Sequence, residues 1–189
     1  MSHSLHRQGT EDSLRKDFIL ISIATKEPKK GWPDSAERMK QLGKICIHHK
    51  PNNHGHESYI FEGSYSDAQE IKELLKDLKK ADLGLSVVLT GPRDEIIAMA
   101  HDVDLKLNSI HLSLGVFGNK KLLPDKKILE ITTMCGHHCI SPFLAEELVK
   151  ELKSKSITID EAINQLSSLC TCRIFNPQRA QEIIEALMA

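Results

Sequence analysis

Phe18-Ile-Leu-Ile-Ser-Ile-Ala24 is the stretch of sequence that decides the fold. Apart from Ser22 it is continuously apolar, which is typical of a strand buried on both of its faces. Further strand and helix patterns alternate after it along the chain. This alternation predicts a single sheet covered by helices.

Four more stretches downstream predict strands, namely residues 59–61, 83–90, 109–116 and 128–133. Helices are predicted after Asp34, after a capping box that begins at Ser66, and after Pro92, because each of these positions precedes apolar residues at helical spacing. Residues 48–57 contain proline, asparagine and glycine, and are expected to form a loop.

The C-terminal third has a purely helical pattern. Three start signals divide it: Ser141-Pro142, the capping box Thr158-Ile-Asp-Glu161, and Asn176-Pro177. The predicted class is therefore α/β (or α+β), with a mixed sheet covered by helices and followed by a C-terminal three-helix segment. The expected organisation is a flexible N-terminal arm (1–16), an α/β domain (17–134) and a helical cysteine-cluster segment packed on it (135–189).

Composition limits the class of function. The net charge is −1 and aromatic residues make up only 4% of the 189 residues, so a nucleic-acid-binding surface is not expected. No stretch approaches the roughly 18 consecutive apolar residues that a membrane-spanning helix needs. The first residues lack an apolar signal core, so a cytoplasmic and reducing location is expected.

Four of the five cysteines lie in the last third, as Cys135-Gly-His-His-Cys139 and Cys170-Thr-Cys172. Both groups fall at the ends of predicted elements, where free backbone N–H groups can bond sulfur. Two antiparallel helices between the groups can return the chain to its starting point. We therefore expect the sulfur atoms to converge.

Three kinds of chemistry are open to such a group. The first is an iron–sulfur cluster bound by Cys135, Cys139, Cys170 and Cys172, or by three of them with one open iron. The second is zinc, for which Cys135 and Cys139 have a usual spacing. The third is a thiol–disulfide pair. His137 and His138 complete the set of candidate metal ligands, with one of them expected to bond a sulfur or a substrate from outside the ligand set.

The preferred prediction is an iron–sulfur protein in electron transfer or small-ligand redox chemistry, with a redox partner protein or a small ligand as its partner. The alternatives are a zinc-stabilised non-enzymatic interaction module and a thiol redox protein. Whether the chain is an enzyme, and its oligomeric state, are left open.

Two stretches, Met134-Cys-Gly-His137 and Cys170-Thr-Cys172-Arg-Ile-Phe-Asn-Pro177, resemble an uncharacterised prokaryotic family marked by these motifs. The likeness extends to His6-Arg-Gln-Gly-Thr-Glu11 and Ser113-Leu-Gly-Val-Phe-Gly118. In that family another residue often stands at the position of Cys139. The resemblance therefore implies Cys135, Cys170 and Cys172 as the ligands, and it implies no activity.

Two other features bear on the site. His48, His49, His54 and His56 crowd one segment, which is expected to be a surface loop without preorganised metal geometry. His6-Arg7 either folds back over the cysteines and supplies positive charge or belongs to a disordered tail. Cys46 shares a helix face with Leu42 and is expected in the core.

Overall fold

The computed structural model describes residues 4–24 and 33–188. Its helices and strands, in chain order, are α1 (Glu11–Leu14), β1 (Phe18–Ile23), α2 (Ser35–His48), β2 (Asn53–His56), β3 (Ile60–Tyr65), α3 (Ala68–Ala81), β4 (Ser86–Thr90), α4 (Arg93–Asp102), α5 (Lys126–Thr132), α6 (Pro142–Lys153), α7 (Ile159–Ser168) and α8 (Pro177–Met188). A short 3₁₀ turn, Lys120–Leu122, precedes α5.

The strands form one four-stranded sheet in the order β2-β3-β1-β4. The predicted class, a sheet with helices and a C-terminal helical segment, is confirmed. The sheet was expected to be mixed, but its three pairings are all antiparallel. Alternating strands and helices do not fix strand direction, and the β2–β3 hairpin turns the chain so that β3 runs against β1.

β1 lies at the centre of the sheet and is buried on both faces, as its apolar run predicts. Phe18 and Leu20 pack with side chains of α2, α3 and α4, which cover what we call the α2–α3 face. Ile19 and Ile21 pack with side chains of α5 to α8, which cover what we call the cysteine face. Helices on both sides thus keep water from β1.

Two predicted strands are wrong. Residues 128–133 lie mostly in helix α5, where Ile128 and Ile131 are three residues apart and share the buried face. A short apolar run fits a helix as well as a strand, and here packing selected the helix. Residues 109–116 form no strand; they are exposed and do not pair with the sheet.

The predicted loop at residues 48–57 and the predicted start of α3 also need correction. Residues 53–56 form β2, because they pair with the longer strand β3. Helix α3 is capped by Asp67, whose carboxylate accepts hydrogen bonds from the N–H groups of Gln69 and Glu70, and not by Ser66. At α7 the predicted capping box of Thr158 and Glu161 is confirmed.

The N-terminal arm is predicted to be flexible, but its described residues, 4–16, include side chains that pack on the rest of the chain. Arg7 is 8% exposed, and its Nη1 atom donates a 2.8 Å hydrogen bond to Oδ2 of Asp17. A second guanidinium, that of Arg179 on α8, donates to the same oxygen at 2.6 Å. The polar sequence of this segment predicts a solvated tail, but its Arg7 is bound to the buried carboxylate of Asp17.

Candidate functional site at the cysteine cluster

Two turns on the cysteine face carry the four C-terminal thiols. One turn follows α5, and in it the N–H of Cys135 bonds the carbonyl of Thr132 at 3.3 Å. The other joins α7 to α8, and in it the N–H of Arg173 bonds the carbonyl of Cys170 at 2.9 Å. Both turns lie at the ends of secondary-structure elements, as the sequence predicts, but the element before Cys135 is helix α5 and not the predicted strand.

The sulfur atoms of the two turns meet. Sγ of Cys170 lies 3.7 Å from Sγ of Cys172, and the Cys135 thiol is close enough to Cys170, across the gap between the turns, for the two to shift each other's pKa. These three residues are 0 to 7% exposed. The predicted convergence of Cys135 with the Cys170–Cys172 pair is therefore confirmed.

Cys139 lies at the exposed rim of this group. Its thiol interacts with the thiol of Cys135, which is one reason that the pKa of Cys139 is raised; partial burial is the larger reason. The four thiols thus form a row in which Cys139 interacts with Cys135, Cys135 with Cys170 and Cys170 with Cys172, and Cys139 is its exposed member.

The contacts along this row give the four thiols different pKa values. The pKa of Cys172 is lowered, first because the Cys170 thiol donates to it and then because the N–H of Ile174 does, although burial opposes both. The pKa of Cys135 is raised by its hydrogen bond to Cys170 and by burial. Cys172 is therefore the sulfur that ionises most readily among these thiols.

Cys170 lies between these two. Its hydrogen bond with Cys135 lowers its pKa, but the hydrogen bond to Cys172 and burial raise the pKa by more. The protons of this group are therefore shared along the row, and the loss of one changes the acidity of the next.

Backbone N–H groups of the two turns are directed at all four sulfurs. His137 and Cys139 supply them to Cys135, and Thr171 supplies one to Cys139. Phe175 and Ile174 supply them to Cys170 and Cys172. Each of these contacts lowers the pKa of its thiol, because an N–H donor stabilises the thiolate.

Charged side chains surround the group from two other elements. Arg7 of the N-terminal segment interacts electrostatically with Cys170, and its guanidinium also donates to the carbonyl of Ile174. The prediction that His6-Arg7 folds back and brings positive charge is confirmed for Arg7. Burial nevertheless lowers the pKa of this guanidinium.

Glu62 is the carboxylate nearest to this group that the sequence analysis missed. It pairs with Ile21 in the β3–β1 register and so lies on the cysteine face, where it interacts with Cys172. Burial raises its pKa, and His137 opposes the rise. A glutamate inside the otherwise uncharged strand Ile60–Tyr65 was the available signal.

The two candidate histidines differ in position. Both are exposed, but only His137 interacts with Glu62. His138 adopts a left-handed backbone with φ = 56°, and its N–H bonds the carbonyl of Cys135 at 3.0 Å. The structure therefore gives His138 a role in shaping the turn.

Asn176 and Arg179 are further residues that the sequence analysis did not assign to the site. The side chain of Asn176 donates to Oδ1 of Asp17 at 3.1 Å and accepts from Asn52 at 2.9 Å. With Arg7 and Arg179, it fixes the start of α8 beside the Cys170–Cys172 turn. Only Asp17, an acidic residue directly before the buried strand, signalled this network in the sequence.

The crowded histidines do not gather at one point. His49 is buried, with Nδ1 2.6 Å from Oε1 of Glu70 and Nε2 3.1 Å from Oδ2 of Asp77. His54 and His56 instead flank Phe61. In residues 4–24 and 33–188, no group of three or more histidine, cysteine or acidic side chains stands ready to hold a metal ion.

Comparisons of the chain with family models, with curated proteins and with solved structures gave no match. Among the described helices, none has both the length and the apolar character needed to cross a bilayer.

Proposed function

We propose that Cys135, Cys139, Cys170 and Cys172 bind one tetrahedral metal ion, zinc, and that the chain is a zinc-stabilised interaction module. The described residues hold no preassembled group of metal ligands, so in this proposal Cys135 and Cys139 move toward the Cys170–Cys172 pair when the metal binds. The metal then links the turn after α5 to the turn before α8. It thereby fixes the helices of the cysteine face to one another and to β1. The observation that carries the proposal is the meeting of the thiols, with N–H groups directed at every sulfur.

The spacing of the sulfurs favours a single ion over a cluster. Two thiolates bound to one tetrahedral zinc at about 2.3 Å lie about 3.8 Å apart. Sγ of Cys170 and Sγ of Cys172 are 3.7 Å apart. In a [4Fe–4S] cluster each cysteine binds a different iron, so these two sulfurs would have to separate. The spacing therefore supports a single tetrahedral ion over a [4Fe–4S] cluster, and the sulfide measurement below distinguishes zinc from a [2Fe–2S] cluster, in which two cysteines share one iron.

The surroundings suit thiolates more than thiols. Zinc with four thiolates carries a charge of −2, which the site has to offset. The guanidinium of Arg7 is buried beside Cys170, and turn N–H groups supply further positive ends of dipoles. Bound zinc would remove the thiol protons and strengthen every one of these contacts.

The enclosure of the site favours a structural role. Structural zinc sites have four protein ligands, whereas catalytic sites keep one position for water or substrate. Three of the sulfurs are almost fully buried, and Cys139 lies at the only exposed end of the row that we describe. With Cys139 as the fourth ligand, the ion is closed off from substrates.

Metal content tests this proposal directly. The reduced protein should be purified anaerobically without chelator or metal-affinity tag, and zinc, iron and sulfide should be measured per chain. We expect one zinc and no sulfide. Substitution with Co²⁺ should give the intense visible absorption of tetrahedral cobalt bound to thiolates.

Single substitutions identify the ligands. Cys135→Ser, Cys170→Ser and Cys172→Ser should each abolish stoichiometric binding, and Cys139→Ser should weaken it. Cys46→Ala is the matched control, since Cys46 is fully buried on the α2–α3 face and should leave binding unchanged.

Other results would overturn the proposal. A brown protein with equal iron and sulfide would show a cluster, and would favour electron transfer or redox chemistry. A metal-free protein that forms a Cys170–Cys172 disulfide on mild oxidation would show a thiol redox protein.

A further inference from the structure

Residues 107–119 form an exposed and uncharged stretch outside the cysteine site. The sequence there is Leu-Asn-Ser-Ile-His-Leu-Ser-Leu-Gly-Val-Phe-Gly-Asn, without Asp, Glu, Lys or Arg in a chain that is 27% charged. Its alternating Ile110, Leu112 and Leu114 are 51, 57 and 83% exposed. An exposed strand pattern of this kind invites pairing with another chain.

The sheet offers an unpaired edge next to this stretch. β4 pairs with β1 on one side, and among the described residues no strand pairs with its other side. A groove of about 900 Å³ separates the outer edge of β4 from residues 105–113. One wall of the groove is therefore a row of backbone N–H and C=O groups without strand partners.

We propose that the groove receives residues 109–116 of a second copy of this chain, and that two copies exchange these segments about a two-fold axis. Each segment then lies between β4 of its partner and the partner's own segment. The two sheets join in the order β4, segment, segment, β4 across the axis. This proposal is independent of the metal site.

The size of the groove fits one strand. β4 is five residues long, so five of the eight residues 109–116 pair with it. Five residues of β-strand are about 17 Å long, strands lie about 4.8 Å apart, and packed layers are about 10 Å thick, which gives roughly 800 Å³. This is close to the volume of the groove. A strand also satisfies the hydrogen-bonding groups of β4, which a hydrocarbon ligand leaves unpaired.

A dimer with two-fold symmetry uses only the exposed stretch 107–119 and the outer edge of β4 of each copy. The axis sets the two segments antiparallel, so that each contributes the same residues to the contact. Because residues 107–119 carry no formal charge, two copies approach without repulsion between like charges. The alternating apolar side chains then meet their own counterparts.

The exposed apolar area is large enough for a stable dimer. Eight large apolar residues in this region are 36 to 83% exposed: Leu107, Ile110, Leu112, Leu114, Val116, Phe117, Leu122 and Leu123. With about 200 Å² for a fully exposed side chain of this size, they expose roughly 900 Å² per copy. Each partner in a standard interface buries about 800 Å².

Sedimentation of the full-length protein over a wide concentration range tests the proposal. We expect a dimer for the unmodified chain. Leu112→Asp should weaken dimerisation by about 100-fold or more, because it places a charge in the centre of the contact. Phe143→Asp is the matched control, since Phe143 on α6 is 80% exposed and should leave the dimer unchanged.

Hydrogen exchange locates the interface. Amides of residues 87–90 and 110–116 should be protected in the dimer and lose this protection on dilution or in Leu112→Asp. A chain that stays monomeric would overturn the proposal, as would a dimer that Leu112→Asp leaves intact. A monomer that instead binds anionic lipid vesicles through Phe117 and its neighbouring lysines would also overturn it.

Discussion

The two faces of the sheet bury cysteines in different ways. On the α2–α3 face, Cys46 is surrounded by apolar side chains, and burial raises the pKa of its thiol to about 12. On the cysteine face, Cys172 is also buried, yet hydrogen bonds from Cys170 and from a turn N–H lower its pKa. Burial by itself therefore does not make a thiol reactive or a ligand.

The difference arises from the secondary structure around each residue. Cys46 lies within α2, where the backbone N–H groups are used by the helix. Cys172 lies in a turn, where N–H groups remain free to bond sulfur. Of the five cysteines, Cys172 on the cysteine face is therefore the one whose pKa is lowered.

The largest effect is expected from Asp17, which anchors the cysteine face. Asp17→Asn leaves the guanidinium groups of Arg7 and Arg179 buried without this carboxylate, so the free energy of unfolding should fall by about 3–5 kcal/mol. Urea denaturation measures the change. Glu182→Gln removes a surface ion pair with Lys16 and should cost under about 1 kcal/mol. Equal losses in the two variants would contradict the assigned role of Asp17.

Zinc should stabilise the protein through the cysteine face alone. Adding Zn²⁺ to the reduced, metal-free chain should raise the free energy of unfolding by about 4 kcal/mol when free zinc is about 1,000 times its Kd. Cys46→Ala should gain as much as the unmodified chain, and Cys170→Ser should gain nothing. A gain in Cys170→Ser would show that zinc acts elsewhere.

Alkaline pH should lower the free energy of unfolding through ionisation of Cys46 on the α2–α3 face. Its folded pKa is about 12 against an ordinary 9.0, so above pH 9 the unfolded chain loses a proton that the folded chain retains. Stability should therefore fall with rising pH, by about 1.4 kcal/mol per pH unit from this group. Cys46→Ala should lack this part of the fall when unfolding is compared at pH 8 and pH 10. Identical pH slopes would refute the assignment.

The smallest expected loss of stability comes from removing a helix cap, and one cap on each face can be compared. Thr158→Ala removes the capping box of α7, and Asp67→Ala removes the cap of α3. Each should cost about 1 kcal/mol of stability. Neither residue contacts a thiol, so neither change should alter zinc binding. A loss of zinc binding in Thr158→Ala would mean that removal of the cap unfolds α7 from its start as far as Cys170, which follows the last turn of the helix.

The fold was predictable where a pattern had one physical solution. The run that begins at Phe18 is apolar at every position except Ser22, which favours a strand covered on both sides, and the capping box at Thr158 marks a helix start. Residues 128–133 had two solutions, because a short apolar run suits a strand or a helix. The packing of Ile131 against the other C-terminal helices decided between them.

The meeting of the thiols was predictable from the sequence, whereas the charged residues that surround them were not. Spacing alone indicated that Cys135 would meet Cys170 and Cys172, since two antiparallel helices return the chain. Glu62 and Arg7 reach the same place from β3 and from the N-terminal segment, which no local pattern connects to the cysteines.

The sequence by itself determined the buried central strand, the C-terminal helices and the two thiol-bearing turns, because local spacing, caps and apolar runs specify them. Only the tertiary structure decided that Glu62 interacts with Cys172 and that Arg7 is buried beside Cys170. The acidity of each thiol depends on which donors and charges surround it, and those come from residues distant in the chain.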